Sequence, residues 1–314
     1  MEHLVNAADG MKRAAAILRS GGLVAVPTET VYGLAADATN ADAVAGIYAA
    51  KGRPSFNPLI IHVDSVAMAQ RYGRFDGRAH RLAEHFWPGP LTLVVPLTEN
   101  HGLAPAVTAG LNSVAIRQPS GPMAALATAM DHPLAAPSAN SSGRVSPTMA
   151  QHVAADLGTK VDLILDNGPC PVGLESTIIS LVADTAILLR EGGLDRSFAA
   201  GIVGPLINPK PDAHVAAPGM LSAHYAPRIP LLKDFAKPMP EGMVFLGFGE
   251  TMREPGLNLS PSGDVKEAAH NLFAMLQELD RSGARSIGVA AIPHHGLGAA
   301  INDRLQRAAH GSKE

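Results

Sequence analysis

Apolar and polar positions along this chain switch repeatedly between helical and strand periods. Residues 7–22, AADGMKRAAAILRSGG, read as an amphipathic helix stopped by Gly21 and Gly22. LVAVP (23–27) is a short buried strand ending on a proline, and ADAVAGIYAAK (41–51) is helical. LIIHV (59–63) and LTLVVPL (91–97) read as strands, with the helix RAHRLAEHFW (78–87) between them. The apolar runs at 113–117, 134–137, 163–166, 176–182 and 186–190 continue the sheet, and helices fit 122–130, 148–157 and 195–202. Units of β-α type mixed with adjacent strand pairs predict an α/β domain with a mixed sheet.

The pattern then breaks. Residues 205–230, PLINPKPDAHVAAPGMLSAHYAPRIP, hold six prolines and almost no periodicity. That is too long for a tight connection and too structureless for an element, so it reads as a linker or lid. Beyond it a compact βαβα pattern returns. IPLL, MVFLGFG and SIGVAAI look like strands, and DVKEAAHNLFAMLQELDRSG and LGAAINDRLQRAAH look like helices. This predicts a small Rossmann-like parallel sheet. The expected division is 1–207 for the first domain, 208–228 for the linker or lid and 229–314 for the second domain.

Composition narrows the function classes. The chain has 314 residues, 46% of them hydrophobic and 17% charged, with a net charge of −3. A protein that wraps nucleic acid is usually basic, so an anionic ligand here is expected to be small and held in a local basic pocket. Aromatic residues make up only 4%, against a stacking platform for single strands. No run approaches the ~18 apolar residues of a membrane span, and the first twenty residues lack the apolar core of a signal peptide. One cysteine, Cys170, excludes an intrachain disulfide framework and suits a reducing cytoplasm. It reads as a packed thiol, because no specific partner is visible.

Familiar nucleotide motifs are missing. No Gly-Lys dipeptide occurs, GLGAAI and GFGETM lack the third glycine of a dinucleotide loop, and the thirteen histidines form no zinc pattern. The polar groups sit instead at the ends of apolar runs: Thr28 and Thr30, Lys51 and Arg53, His62, Ser113 and Arg117, Ser138 to Ser146, Ser176 and Thr177, and Arg190. Ligands of open α/β sheets gather beyond strand ends, so these could form one hollow of cations and hydroxyls with few carboxylates. Each also has a plainer reading. Lys51 could be a solvated helix end, Arg117 a core salt bridge, and Ser138 with Asn140 a cap or Asx turn. The residues by themselves stop at a small polyanion, best read as a nucleotide, bound beside a polar metabolite.

The same residues carry a resemblance. VPTETVYGL, KGRPSFNPLIIHV, WPGPLTLVV, VAIRQP, APSANSSGRVSPT, GLESTIISL and ILREGG resemble the YrdC-like domain in order and spacing, over roughly residues 8–205. APGMLSAHYAPRIPL and the small second domain resemble the long, two-domain form of the threonylcarbamoyl-AMP synthase family. The resemblance implies a YrdC-like domain with a twisted mixed sheet flanked by helices, followed by the small Rossmann-like domain. It also implies a nucleotidyltransferase that makes threonylcarbamoyl-AMP and pyrophosphate from L-threonine, bicarbonate and ATP. The product would pass to a tRNA threonylcarbamoyl-transfer complex, for the adenosine beside the anticodon.

By that resemblance Lys51 and Arg53 are the catalytic cations on the triphosphate. Asn57, Ser113, Asn140, Ser146 and Arg190 complete the ATP site, and Tyr225 of the lid folds over the nucleotide. Thr30, His62, Arg117, Ser138 and Ser176 hold threonine, with Arg117 suited to its carboxylate. Mg²⁺ rides on the ATP phosphates, with no protein side chain assigned to it. The competing reading is a YrdC-like protein that binds double-stranded RNA in ribosome maturation; direct tRNA contact stays open.

Overall fold

The computed structural model describes residues 4–209, 217–220 and 224–311. Ten strands build the larger sheet: β1 (Leu4–Asn6), β2 (Val24–Pro27), β3 (Tyr32–Asp37), β4 (Ile60–His62), β5 (Leu91–Pro96), β6 (Ser113–Arg117), β7 (Leu134–Ala135), β8 (Leu163–Asp166), β9 (Thr177–Ser180) and β10 (Ile187–Arg190). Their order is β1-β8-β2-β3-β7-β4-β6-β5-β9-β10. The sheet is mixed: β4 and β6 run parallel, as do β5 and β9, whereas β2 and β3 and the β5–β6 pair are antiparallel. Eight helices accompany it: α1 (Ala7–Arg19), α2 (Ala41–Lys51), α3 (Val66–Gln70), α4 (Gly77–Phe86), α5 (Pro105–Thr108), α6 (Pro122–Met130), α7 (Ala150–Asp156) and α8 (Arg196–Val203).

The second sheet, β11 (Leu231–Leu232), β12 (Met243–Gly247), β13 (Gly256–Asn258) and β14 (Ser286–Val289), is all parallel in the order β11-β14-β12-β13. Helices α9 (Val265–Asp280) and α10 (Gly298–Gly311) complete it. The mixed and parallel sheets both follow the sequence expectation. No helix among the described residues is long and apolar enough to cross a membrane.

Short elements account for the differences. β1, β3, β13, α3 and α5 are not anticipated by periodicity. β3, YGLAAD, is buried along its whole length and holds a glycine and two alanines. It therefore shows neither polar alternation nor β-branched enrichment, the two signals of a strand. Its place in the sheet is set by neighbours on both sides, β2 and β7.

Caps fix the elements that aim the polar groups. Asn40 caps α2 by accepting hydrogen bonds from the Asp42 and Ala43 amides at 3.0 and 3.1 Å. At the other end Gly52 takes a left-handed conformation (φ 62°), which ends α2 and swings the chain from Lys51 into Arg53. The Asn57 amide then donates to the Pro54 carbonyl at 3.1 Å, closing a turn.

The two halves share apolar packing. Val31, Val145 and Leu174 of the larger part join Tyr225 and the Phe245, Phe273 and Leu305 core of the smaller one. Gly173 lies so close to α9 that a Cβ there would stand 2.4 Å from the His270 carbonyl oxygen. The Gln277 amide of α9 donates to the Ser146 carbonyl at 3.1 Å.

Candidate functional site

Strand register assembles the site. β4 and β6 are parallel neighbours with His62 and Arg117 as Cα partners, so both side chains leave the sheet at one edge. Gly33 bridges to Ser138, which brings the loop after β7 beside the β2–β3 turn carrying Thr30. The antiparallel β9–β10 pair returns Arg190 to Ser176, where its Nε donates to the Ser176 carbonyl at 3.0 Å and its Nη2 to Ser176 Oγ at 3.1 Å. Thr30, Arg53, His62, Arg117, Ser138, Ser176, Arg190 and Tyr225 line one cavity.

The remaining expected residues stand behind that wall or along it. Lys51 is buried and donates its ammonium to the carbonyls of Ser138 and Asn140. Asn57 is buried, and its carbonyl accepts from Arg53 Nε at 3.2 Å. Asn140 donates to the Ser141 and Arg144 carbonyls at 2.8 and 2.9 Å, and Ser146 donates to Glu175 Oε1 at 2.5 Å. Ser113 is farther off. It begins β6, half-buried against Pro96, a strand's length from Arg117 and level with the Pro58 end of the Lys51–Arg53 loop.

The electrostatics are lopsided. Among the described residues Lys51, Arg53 and Arg190 are 9% exposed or less, and the hydrogen bonds they donate go to carbonyls or to the Ser176 hydroxyl, not to a carboxylate. Burial, reinforced by the neighbouring Arg53, presses the Lys51 ammonium well below the usual lysine range. Burial lowers Arg53 to about 10 and pulls Arg190 down as well. Three buried cations without a carboxylate partner are costly alone and are relieved by an incoming anion.

Neutral groups next to them are equally unfinished. Asn57 Oδ1, His62 Nδ1 and Asn140 Oδ1 are buried without a hydrogen-bond partner among the described residues, a cost that a ligand hydroxyl or amino group can remove. Burial, and then the Arg117 charge, depress His62 to about 3, so its ring is neutral at physiological pH and can both donate and accept.

Arg117 combines the two readings open from sequence. It lines the cavity, yet its Nη2 forms an ion pair with Glu29 Oε1 at 2.6 Å, its Nη1 donates to Thr30 Oγ1 at 2.8 Å and its Nε to the Gly89 carbonyl at 3.1 Å. Glu29, Glu175 and His224 are parts of the site that the sequence reading did not single out. Glu29 and Glu175 each engage one arginine, and Glu175 and His224 line the cavity. The two carboxylates lie inside the quoted motifs VPTETVYGL and GLESTIISL, but an acid in a short motif gives no local sign of which arginine it will meet.

Tyr225 lines the cavity together with Pro218 and Gly219. It is 1% exposed, stacks on Phe273 at 5.6 Å and takes φ 62°, an uncommon conformation for a residue with a side chain. The Ala226 amide anchors the following segment on the Gly143 carbonyl at 2.8 Å. Residues 210–216 and 221–223 of the expected lid lie outside the described residues. The cavity's free volume is about 50 Å³, room for a few waters at ~10–15 Å³ each. Cys170 is buried with its thiol pushed up to about 12 by burial, which fits a packed, unreactive side chain.

Comparison with known proteins agrees with this geometry. A Sua5/YciO/YrdC family model, described as telomere recombination, matches residues 16–192. A second model, threonylcarbamoyl-AMP synthase, C-terminal domain, matches residues 194–310. The threonylcarbamoyl-AMP synthase of Bacillus subtilis is 39% identical over 95% of this chain and 92% of its own. That of Pyrococcus abyssi is 40% identical over 94% of this chain and 92% of its own. The crystal structure of P. abyssi Sua5 complexed with L-threonine superposes with a TM-score of 0.88, at 37% identity, covering 96% of this chain and 94% of that one. A fold of two sheets, a cavity lined by arginines and hydroxyls and a likeness that spans nearly the full length of both relatives lead to one statement: the chain belongs to the threonylcarbamoyl-AMP synthase family, in its long two-domain form.

Proposed function

We propose that this protein condenses L-threonine, bicarbonate and ATP into threonylcarbamoyl-AMP and pyrophosphate. The observation that carries the reading is the trio Lys51, Arg53 and Arg190, buried without carboxylate partners beside a neutral His62 and the hydroxyls of Thr30, Ser138 and Ser176. The cationic side suits a triphosphate and the hydroxyl side a small polar amino acid. A relative of 37% identity complexed with L-threonine supports the second half.

The chemistry asks little covalent work of the protein. The threonine amine takes up the carbon of bicarbonate and water leaves, giving a carbamate. A carbamate oxygen attacks the α-phosphorus, and the bond to the departing pyrophosphate breaks with its electron pair on pyrophosphate. Catalysis is then positioning plus charge neutralisation. In this reading Lys51 and Arg53 neutralise the triphosphate, with Asn57, Ser113, Asn140, Ser146 and Arg190 around the rest of ATP. Arg117, His62, Thr30, Ser138 and Ser176 orient threonine. The two nearby carboxylates are engaged by arginines, so Mg²⁺ would ride on phosphate oxygens and water. Pro218, Gly219, His224 and Tyr225, which line the cavity, would keep water from the carbamate, which otherwise falls apart.

The product would feed a tRNA threonylcarbamoyl-transfer complex, and a cytoplasmic setting belongs to the same reading. The direct test is pyrophosphate release with MgATP, with and without threonine and bicarbonate. Release that requires all three supports the assignment; release independent of threonine, or none, overturns it.

A further inference from the structure

The catalytic machinery sketched above lies in the larger part of the chain, yet one of its deepest charged groups comes from α10, the last helix. Arg304 is 0% exposed and does not line the cavity. Its Nε donates to Glu175 Oε2 at 2.9 Å, its Nη2 to the Glu191 carbonyl at 2.8 Å and its Nη1 to Asp303 Oδ2 at 2.6 Å. Its Cζ lies 4.9 Å from the centre of the Tyr225 ring, a cation–π contact.

Apart from Asp303, its neighbour on α10, the partners of Arg304 lead to the ligand side. Glu175 lines the cavity, and its other oxygen accepts from Ser146 Oγ at 2.5 Å. The next residue, Ser176, lines the cavity and accepts from Arg190. Glu191 follows Arg190 directly, and Gly192 behind it packs against the Glu175 carbonyl so closely that a Cβ would stand 2.4 Å away. Tyr225 is part of the lid, held between Phe273 on one side and the Arg304 guanidinium on another. One guanidinium therefore ties together the lid ring, the carboxylate that orients Ser146 and the backbone beside Arg190.

We propose that Arg304 is a positioning residue for nucleotide binding: through Glu175 it holds Ser146, and through its own contact it holds the Tyr225 ring, in the arrangement that accepts ATP. Arg304 touches no substrate. The second domain then contributes to the site through this side chain and not merely by covering it. A purely architectural ion pair would not need its carboxylate to reach onward to Ser146, nor its cation to lie against the lid residue. A buried guanidinium that loses one partner leaves the other charge stranded, so the three contacts act as a unit.

The inference rests on the ATP-dependent reading of the site, so the test separates the two. MgATP binding and L-threonine binding are measured independently by calorimetry on the full chain, alongside melting temperature and pyrophosphate release. Arg304→Met keeps the length and apolar stem of the side chain, Arg304→Lys keeps the charge without the fork, and Glu175→Gln keeps the shape of the acid. The expected result is MgATP affinity at least tenfold weaker in Arg304→Met and in Glu175→Gln, with threonine affinity within about threefold of the parent. The double variant should be no more than about threefold worse than either single one, and Arg304→Lys should be intermediate.

Unchanged MgATP affinity in a folded Arg304→Met overturns the proposal. So does an equal loss for both ligands that tracks the fall in melting temperature, because that is what a merely structural role produces. If Arg304→Met does not fold, Arg304→Lys decides: MgATP affinity within twofold of the parent overturns it, and a selective loss supports it. A parent protein that binds MgATP but releases no pyrophosphate defeats the proposed reaction while leaving the test of Arg304 intact. One that does not bind MgATP defeats both.

Discussion

At the scale of single residues, the site is defined by charges left without partners. Lys51 and Arg53 are desolvated and donate only to backbone carbonyls, so they destabilise the free protein and become favourable when phosphate arrives. Substituting either by alanine should lower ATP-dependent pyrophosphate release at least tenfold, ~1.4 kcal/mol of barrier. Lys51→Met should in addition raise the melting temperature while losing activity, the trade expected where a functional charge is buried. A stable but fully active Lys51→Met protein would remove the loop from the mechanism.

His62 adds a pH dependence. Its folded value of about 3 lies far below the ~6.5 of an unfolded chain. The unfolded state therefore takes up the proton first, and stability drains away as pH falls below ~6.5 towards the folded value, by up to ~1.4 kcal/mol per pH unit. Urea midpoints for the parent and His62→Gln should diverge at pH 7 and converge towards pH 5. Parallel curves would mean that His62 is not buried neutral.

These cations were legible in the chain itself, because Lys51 and Arg53 stand two residues apart in a sequence poor in charge and between helix and proline signals. The two acids of the site were not, nor which arginine each pairs with. Glu29 meets Arg117 88 residues away and Glu175 meets Arg304 129 residues away, distances over which no local pattern reports a partner.

At the scale of elements, the site depends on strand ends being brought level. The turn Glu191–Gly193 is the tightest of these supports. A methyl group on Gly192 would lie 2.4 Å from the Glu175 carbonyl oxygen, the Ser176 carbonyl carbon and the Thr177 amide, all backbone atoms unable to yield cheaply. Gly192→Ala should cost ~1–3 kcal/mol as overpacking, lower the melting temperature and weaken threonine binding as β9 shifts. Gly201→Ala, in the exposed face of α8 with nothing within 4 Å of the added carbon, is the control and should be neutral to stabilising.

The lid is the second element-scale device. Deleting 208–228 should weaken ATP binding and release more pyrophosphate than threonylcarbamoyl-AMP recovered, because water can then attack the α-phosphorus in place of the carbamate, giving AMP and pyrophosphate, or hydrolyse the finished mixed anhydride. Matched yields and unchanged kinetics would show that the segment does not gate the site. The Pro-rich composition marked where this segment lies. That Tyr225 ends in a positive φ between Phe273 and Arg304 depends on packing partners from α9 and α10.

At the scale of the whole molecule, the two sheets are joined by more than a linker. Residues of both parts enter one apolar cluster, and Arg304, Gln277 and His270 reach across it to Glu175, Ser146 and Pro171. Calorimetry should accordingly show one unfolding transition for the full chain, moved upward by MgATP with threonine through mass action on the native state. Two separated endotherms would mean that the interface is too weak to couple the halves.

Read alone, the order of residues settled what local periodicity and motif spacing carry: an α/β chain, a mixed sheet followed by a parallel one, a proline-rich break between them, and cations and hydroxyls placed at the ends of apolar runs. Tertiary structure alone decided which strand lies beside which, and hence that Thr30, His62, Arg117, Ser138, Ser176 and Arg190 face one hollow. It also decided that two acids spend their charge on arginines, and that Arg304 of the last helix stands behind the wall of that hollow. The physical reason is the same in each case: hydrogen-bonded register and burial join residues that are remote in sequence, and neither quantity has a value until the sheets have formed.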